Sequence, residues 1–328
     1  MSNELDRRSF LKQSLAGTAV GALGLSFEEQ ALLAQAGAAA PVRSDAVRRY
    51  LPQDKYALTG TLQTGQIGKV KISRMFAGGN LISGFAHSRD LIYVSSLLKS
   101  YFTDEKVMET LHLCEEMGIN TAILRLDDHC KRVLRRYWDE RGGTIQWIAQ
   151  IKVGPDDFGQ IDEAIDHGAV GAFVHGGVSD ACVEQGRVGV LAEAVERIKA
   201  RGVIAGVGGH KIEVPMACVE AGIEPDFYMK TLHSHAYWSA DGRPENDNIW
   251  SKTPEKTIEF MRTVKTPWIA YKVMAAGAIQ PSRAFKYAYE NGADFICAGM
   301  FDFQVREDVI IANQILAAPL NRQRPWCA

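Results

Sequence analysis

Between residues 56 and 328 eight short apolar runs recur, and each but the first follows a stretch of helical periodicity. They are RMFAGGN, INTAILR, TIQWIAQIK, AVGAFVHGG, VIAGVGGH, DFYMKTLH, WIAYKVMAAG and DFICAGMF. Runs this continuously apolar suit parallel strands covered on both faces. The segments between them, such as DEKVMETLHLCEEMG from Asp104 to Gly118 or LAEAVERIKARG, end on a glycine that can cap a helix before the next strand starts. Eight such units in about 250 residues predict a (β/α)8 TIM barrel. An open doubly wound sheet would want a GxGxxG turn after its first strand, and none stands there. Ahead of the first strand, TLQTGQIGKVKIS predicts a hairpin of two short alternating runs around Thr64-Gly65.

The beginning of the chain has a different character. Asp6-Arg7-Arg8-Ser9-Phe10-Leu11-Lys12, followed by the weakly apolar SLAGTAVGALGLSF, resembles a twin-arginine export signal. Ala34-Gln35-Ala36 or Ala36-Gly37-Ala38 offers the small residues of a cleavage site, after Glu28 and Glu29. This divides the chain into a signal (1–36), an Ala-, Pro- and charge-rich linker (37–55) and one barrel domain with its hairpin (56–328). It predicts a periplasmic or otherwise exported protein, carried by the twin-arginine machinery and left without a stable membrane span, since the apolar part is short and Gly-rich. A net charge of −2 gives no footprint for nucleic acid or a membrane surface, so the expected partner is a small molecule. Six scattered cysteines with no CxxC indicate buried thiols rather than a zinc module or a disulfide framework.

In a barrel, the C-terminal strand ends converge on one mouth, and enzymes of this fold place their chemistry there. The polar groups that close the runs are Asn80, Arg125, Asp127, Lys152, His175, His210, Lys230, His233, Lys272 and Asp302. An unpaired buried lysine costs on the order of several kcal/mol, so three lysines at strand ends suggest a cavity that holds an anion or a carbonyl. The alternative for any single lysine there is that it snorkels to solvent. His87 and His129 stand in loops after strands one and two, while His175, His210, His233 and His235 follow strands four to six. One buried histidine is usually a satisfied core residue. Several at successive strand ends suit an acid–base cluster or a divalent metal such as Zn, Mn or Fe on His175, His210 and His233. No His-x-His follows strand one, so metal hydrolases with two such early ligands are not matched. After strand six, SHAYWSADGRPENDNIW is long and aromatic, and Tyr237, Trp238 and Trp250 offer flat faces for a polar ring, with a plain packed loop as the alternative. Gly277 and Gly299 could let backbone amides approach a phosphate.

Several of these segments also resemble a known family. TLQTGQIGKVKISRMFAGGN is similar to the entry of aldo-keto reductases, where a hairpin covers the barrel floor and a Ser-Arg element precedes a first strand ending in Gly. Met117 to Asn120, WIAYKVMAAGAI and FICAGMFDFQVREDV resemble that family's second-strand joint, its last two strands and its final helix start. The resemblance implies the barrel and, for the family's chemistry, an NAD(P) cofactor with an Asp-Tyr-Lys-His tetrad. Lys152 and His175 match the ends of strands three and four. The family's Asp falls at Ile123 or Leu124, with Asp127 and His129 slightly later, and its proton-donating Tyr has no counterpart. Of the basic residues that clamp the nucleotide, Arg306 remains. The site is therefore read as rebuilt.

Four readings follow. The leading one is an exported enzyme that moves protons on a small polar carbonyl or sugar-like substrate through His175, His210 and His233, with or without a metal. Lys152, Lys230 or Lys272 would stabilise oxyanion charge, Asp127 would assist, and Asn80, His87, Arg125, His129, His235, Trp238 and Asp302 would bind substrate. Isomerase, epimerase, lyase and hydrolase chemistry all fit it. The second is an NAD(P)-dependent reductase in which another residue replaces the Tyr and Gly277, Gly299 and Arg306 contact the cofactor. In the third, Lys230 is the Schiff-base nucleophile of an aldolase-like lyase. The fourth is a barrel that binds a ligand without turnover.

Overall fold

The computed structural model describes residues 61–85, 91–240 and 248–328, which lie in one unit, Ala57–Ala328. The signal and linker assigned to residues 1–36 and 37–55, and His87, fall outside the described residues. Strands β1 (Thr64–Ile67) and β2 (Val70–Ser73) pair antiparallel, with Ile67 opposite Val70. The turn is Gly68-Lys69 rather than Thr64-Gly65, because Gly68 takes the left-handed conformation (φ +53°) that a two-residue hairpin demands.

Eight parallel strands follow and close into a barrel. They are β3 (Met75–Gly78), β4 (Thr121–Arg125), β5 (Gln146–Ile151), β6 (Gly171–Val174), β7 (Ile204–Gly209), β8 (Phe227–Thr231), β9 (Trp268–Tyr271) and β10 (Phe295–Gly299), with β10 against β3. Around them run α1 (Val94–Tyr101), α2 (Asp104–Glu116), α3 (Asp128–Arg141), α4 (Gly159–Asp166), α5 (Gly176–Glu184), α6 (Gly189–Ala200), α7 (Glu213–Glu220), α8 (Pro254–Thr263), α9 (Pro281–Glu290) and α10 (Asp302–Ala317). This is the (β/α)8 barrel with an N-terminal hairpin that the sequence predicts. Helix α1, which stands between β3 and α2, and helix α5 are the additions, and α5 is the one that bears on the mouth. It starts on Gly176-Gly177 directly after β6, where the sequence gives no helical stripe.

Every barrel strand sends a large apolar side chain inward: Phe76, Ile123, Ile148, Phe173, Ile204, Phe227, Ile269 and Phe295, with Ile67 and Ile72 of the hairpin packed against them. Each such side chain contributes about 1.5–3 kcal/mol when fully buried. Room for Phe173 and Phe227, on the strands either side of β7, depends on Gly206, where a Cβ would meet the Phe227 ring at 2.3 Å. Side chains alternate along a strand, so the inward positions two residues further on face the mouth. From this floor the alternation leads to Arg125, Gln150, His175, Thr231 and Tyr271, and along β7 through Gly206 and Gly208 to His210. The barrel is thus apolar below and polar above. Beneath it, buried Arg324 binds the fully buried Asp294 at 2.6 Å and ties the C-terminal segment to the strand ends.

Candidate active site

The centre of the mouth is His210, held by Asp180. The carboxylate sits on α5, 8% exposed. Its Oδ2 lies 2.7 Å from the His210 ring Nδ1, and its Oδ1 accepts the backbone N–H groups of His210 (3.0 Å) and Lys211 (3.1 Å). Burial by itself would raise the Asp180 pKa. The imidazole and the two amides outweigh it and hold the carboxyl below its ordinary value, so it stays ionised. An ionised partner on Nδ1 fixes the proton there and leaves Nε2 as the basic atom.

Three rings surround that imidazole, at centroid distances of 4.9 Å for Trp250, 5.7 Å for Tyr271 and 6.4 Å for His175. The Tyr271 hydroxyl lies against the same corner, since a Cβ on Gly176 would stand 2.8 Å from it and 3.0 Å from His210 Cε1. Burial, with Asp180 nearby, raises the Tyr271 pKa well above 10 and keeps the phenol protonated. His175 is held neutral, its pKa lowered to about 4 by burial and then by His210, Lys152, Arg125 and Lys272. Lys272 takes a left-handed backbone (φ 57°) that places its ammonium 3.6 Å from the centre of the Trp250 ring. Ala275 and Ala276, in the turn that follows, are left-handed as well. Such conformations cost non-glycine residues on the order of 1 kcal/mol each, and they cluster where a site needs them. A cavity of about 320 Å³ opens beside His175, lined by Lys152, Gly177, Val178 and Arg187 among others. Another hollow, of about 290 Å³, lies at the opposite end by Arg322, Arg324 and Trp326, but those guanidinium groups donate to backbone carbonyls.

The mouth therefore gathers His175, His210, Lys152, Lys272 and Arg125 from the sequence candidates, and the rest have other positions. His233 is fully buried. Its Nε2 accepts the amides of Trp250 (3.0 Å) and Ser251 (2.9 Å), and its Nδ1 donates to the carbonyl of Ser234 (3.1 Å). With both nitrogens engaged it neither ligates a metal nor exchanges protons with a substrate, and the ring nitrogens of His175, His210 and His233 do not gather into one ligand set. That corrects the three-histidine metal centre. Among the described residues, Asp127, His129 and Cys130 do bring ligand-type atoms within 4.8 Å of one another. Asp127 caps α3 by accepting the Cys130 N–H, His129 lies 3.6 Å from Asp104, and burial pushes the Cys130 thiol up to about 12, so this group reads as a helix start.

Lys230 is 2% exposed and donates to the carbonyls of His210 (2.8 Å) and Thr231 (3.0 Å) and to Thr231 Oγ1 (2.9 Å). It follows an inward residue, so it points to the outer side of the wall. Burial lowers its pKa to about 7, against the pull of Asp180 and Glu213. This makes it a strut under His210 rather than an open nucleophile. Asp302 opens α10 and binds Lys106 at 3.0 Å and the Tyr101 hydroxyl, so it braces helices. His235 Nε2 meets the Ser251 carbonyl at 2.7 Å. Arg125 lies 3.7 Å from Asp127, with the Phe85 ring over it at 4.2 Å. Asn80, Trp238 and Arg306 are exposed, Gly277 belongs to the left-handed turn and Gly299 ends β10.

Asp180 and Tyr271 are the functional candidates that sequence reasoning missed. A Tyr at the C-terminal end of an apolar strand, two residues beyond an inward isoleucine, was the available signal for the second. Asp180 had none beyond its place five residues after a strand-end histidine.

No protein-family model matches the chain, and no curated protein matches it. Solved structures do. A protein from Pseudomonas aeruginosa, provisionally described as an aldo-keto reductase, superposes with a TM-score of 0.57 at 14% identity, over 79% of this chain and 98% of that one. A glycerol dehydrogenase from Gluconobacter oxydans gives 0.50 at 10%, over 76% and 89%. The holo form of an aldo-keto reductase from Bacillus halodurans gives 0.50 at 13%, over 79% and 92%. A further neighbour, at 0.52 and 9% over 80% and 90%, is a mutant protein in complex with NADPH. At these identities the likeness establishes the barrel fold.

Proposed function

We propose that the chain is an exported barrel enzyme that moves a proton next to the carbonyl of a small anionic, sugar-like or keto-acid substrate. The observation that carries this reading is the His210–Asp180 pair, 2.7 Å apart, beside the protonated phenol of Tyr271. His210 Nε2 takes the proton from carbon while Asp180 stabilises the imidazolium, and Tyr271 donates to the developing enolate oxygen. General acid–base catalysis of this kind contributes about 10²–10⁴-fold. Lys152, Lys272 and Arg125 bring positively charged side chains to the mouth. Among the described residues, Asp180 is engaged with His210 and Asp127 with Arg125. An anionic substrate is therefore favoured over a neutral one. Isomerisation or epimerisation suits the set best, because proton removal and return need no co-reactant.

The test is incubation in D2O with 2-keto acids, aldose and ketose phosphates and uronates, followed by NMR. Deuterium is expected at the carbon beside the carbonyl of one of these classes. Absence of exchange throughout, with NADPH oxidised in the presence of the same carbonyls, would overturn the reading. That outcome belongs to a second reading, supported by Tyr271 as the missing phenol donor and by the NADPH bound to one fold neighbour. Here Lys272 and the turn at Ala275–Gly277 would hold the nucleotide, which would supply hydride when bound. NADPH quenching of tryptophan fluorescence checks it, and Tyr271→Phe would lower turnover about 10²-fold. For export, residues 1–36 fused to a reporter should reach the periplasm, and changing both Arg7 and Arg8 to Lys should abolish it. A reporter exported equally well without the arginines would refute this route.

A further inference from the structure

We propose that His233 is a positioning residue whose unprotonated Nε2, by accepting the amides of Trp250 and Ser251, holds Trp250 against the imidazole of His210. The inference rests on the reading of the mouth as a proton-transfer site. It assigns to a residue outside the reacting set the task of placing one wall of that site.

The bonding admits one protonation state. Nδ1 must carry a hydrogen to donate to Ser234, so Nε2 must be bare to receive two N–H groups, at 3.0 and 2.9 Å. A proton on Nε2 would turn the acceptor into a donor facing two donors, and both bonds would be lost together. The neighbourhood favours the neutral ring. His233 is fully buried, His235 and Tyr237 pack against it at centroid distances of 5.9 and 6.0 Å, and the ammonium groups of Lys230 and Lys272 both disfavour another positive charge. Only the Ser234 carbonyl works in the opposite sense, and the pKa falls to about 4.

What the bond carries is Trp250. Its ring lies 4.9 Å from His210 and beneath the Lys272 ammonium, so the segment pinned at residues 250 and 251 carries one of the rings that flank the imidazole. His235 pins the same strand of chain from the other side, through the Ser251 carbonyl. Two histidines spaced by one residue thus take the amide and the carbonyl of Ser251.

The experiment is amide hydrogen exchange by mass spectrometry on peptides covering residues 248–253, in the full chain, for the wild type, His233→Gln and His233→Leu. Glutamine keeps a neutral acceptor near the Nε2 position but cannot titrate, whereas leucine removes the acceptor. At pH 7 these amides should be protected in the wild type and in H233Q and exchange about tenfold faster in H233L. On lowering the pH towards 4, after correction for intrinsic exchange, the wild type should approach the H233L rate while H233Q stays protected. Equal protection in wild type and H233L, or an identical acid response in H233Q, would overturn the proposal. Should H233L fail to fold, the acid comparison of wild type with H233Q still decides. Exchange needs no turnover. Loss of this result with substrate deuteration intact removes only the positioning role, and the converse removes the catalytic reading.

Discussion

At the scale of single residues, the chemistry of the mouth turns on what each polar group touches. Asp180 offers one oxygen to two amides and the other to His210 Nδ1. Asp180→Asn keeps the acceptor for the amides but can present an amide N–H to the ring, which selects the wrong tautomer. Turnover should fall about 10²–10⁴-fold, with circular dichroism unchanged, and activity within twofold of wild type would count against the pair. The strand-end residues His175, His210, Lys152 and Arg125 were legible in the sequence because strand alternation and the closed ring put them at one end. Lys230 was not, because one step of parity sends it to the outer wall. His233 was misread for a different reason. The two amides that occupy it arrive from residues 250 and 251, seventeen and eighteen positions away, and no local pattern announces them.

At the scale of elements, the joint between β6 and α5 is the tightest piece of the site. The strand turns into the helix with no loop, and that brings Asp180 under His210. Its first residue is Gly176, where a methyl group would stand 2.8 Å from the Tyr271 hydroxyl and 3.0 Å from His210. Neither ring can yield freely, since Tyr271 is fixed in β9 and His210 by Asp180. Gly176→Ala should therefore cost about 1–3 kcal/mol as overpacking and lower turnover by more than its melting shift explains. A variant equally stable and equally active would show that the corner is roomier than described. The eight strands and seven of the helices were visible as periodicity. Helix α5 was not, because a Gly-Gly start followed by Val, Ser and Asp carries neither helical propensity nor an apolar stripe.

At the scale of the whole molecule, an apolar floor and a cationic rim sort the chemistry to one end, and two histidines are kept neutral in the process. Both His175 and His233 have pKa values near 4, below the ordinary 6.5, so the unfolded chain binds protons that the folded chain refuses. Stability is then full above about 6.5 and declines as the pH falls from there towards 4, by about 1.4 kcal/mol per pH unit for each such group. Thermal melting between pH 7 and 4 checks this, and H233Q should flatten the decline, whereas a slope unchanged in H233Q would contradict it. The most direct test of the central claim is the rate of solvent-deuterium incorporation beside the substrate carbonyl in wild type and His210→Gln. The account predicts exchange in the wild type and a loss of at least about 10²-fold in H210Q, and exchange that persists undiminished in H210Q would contradict it.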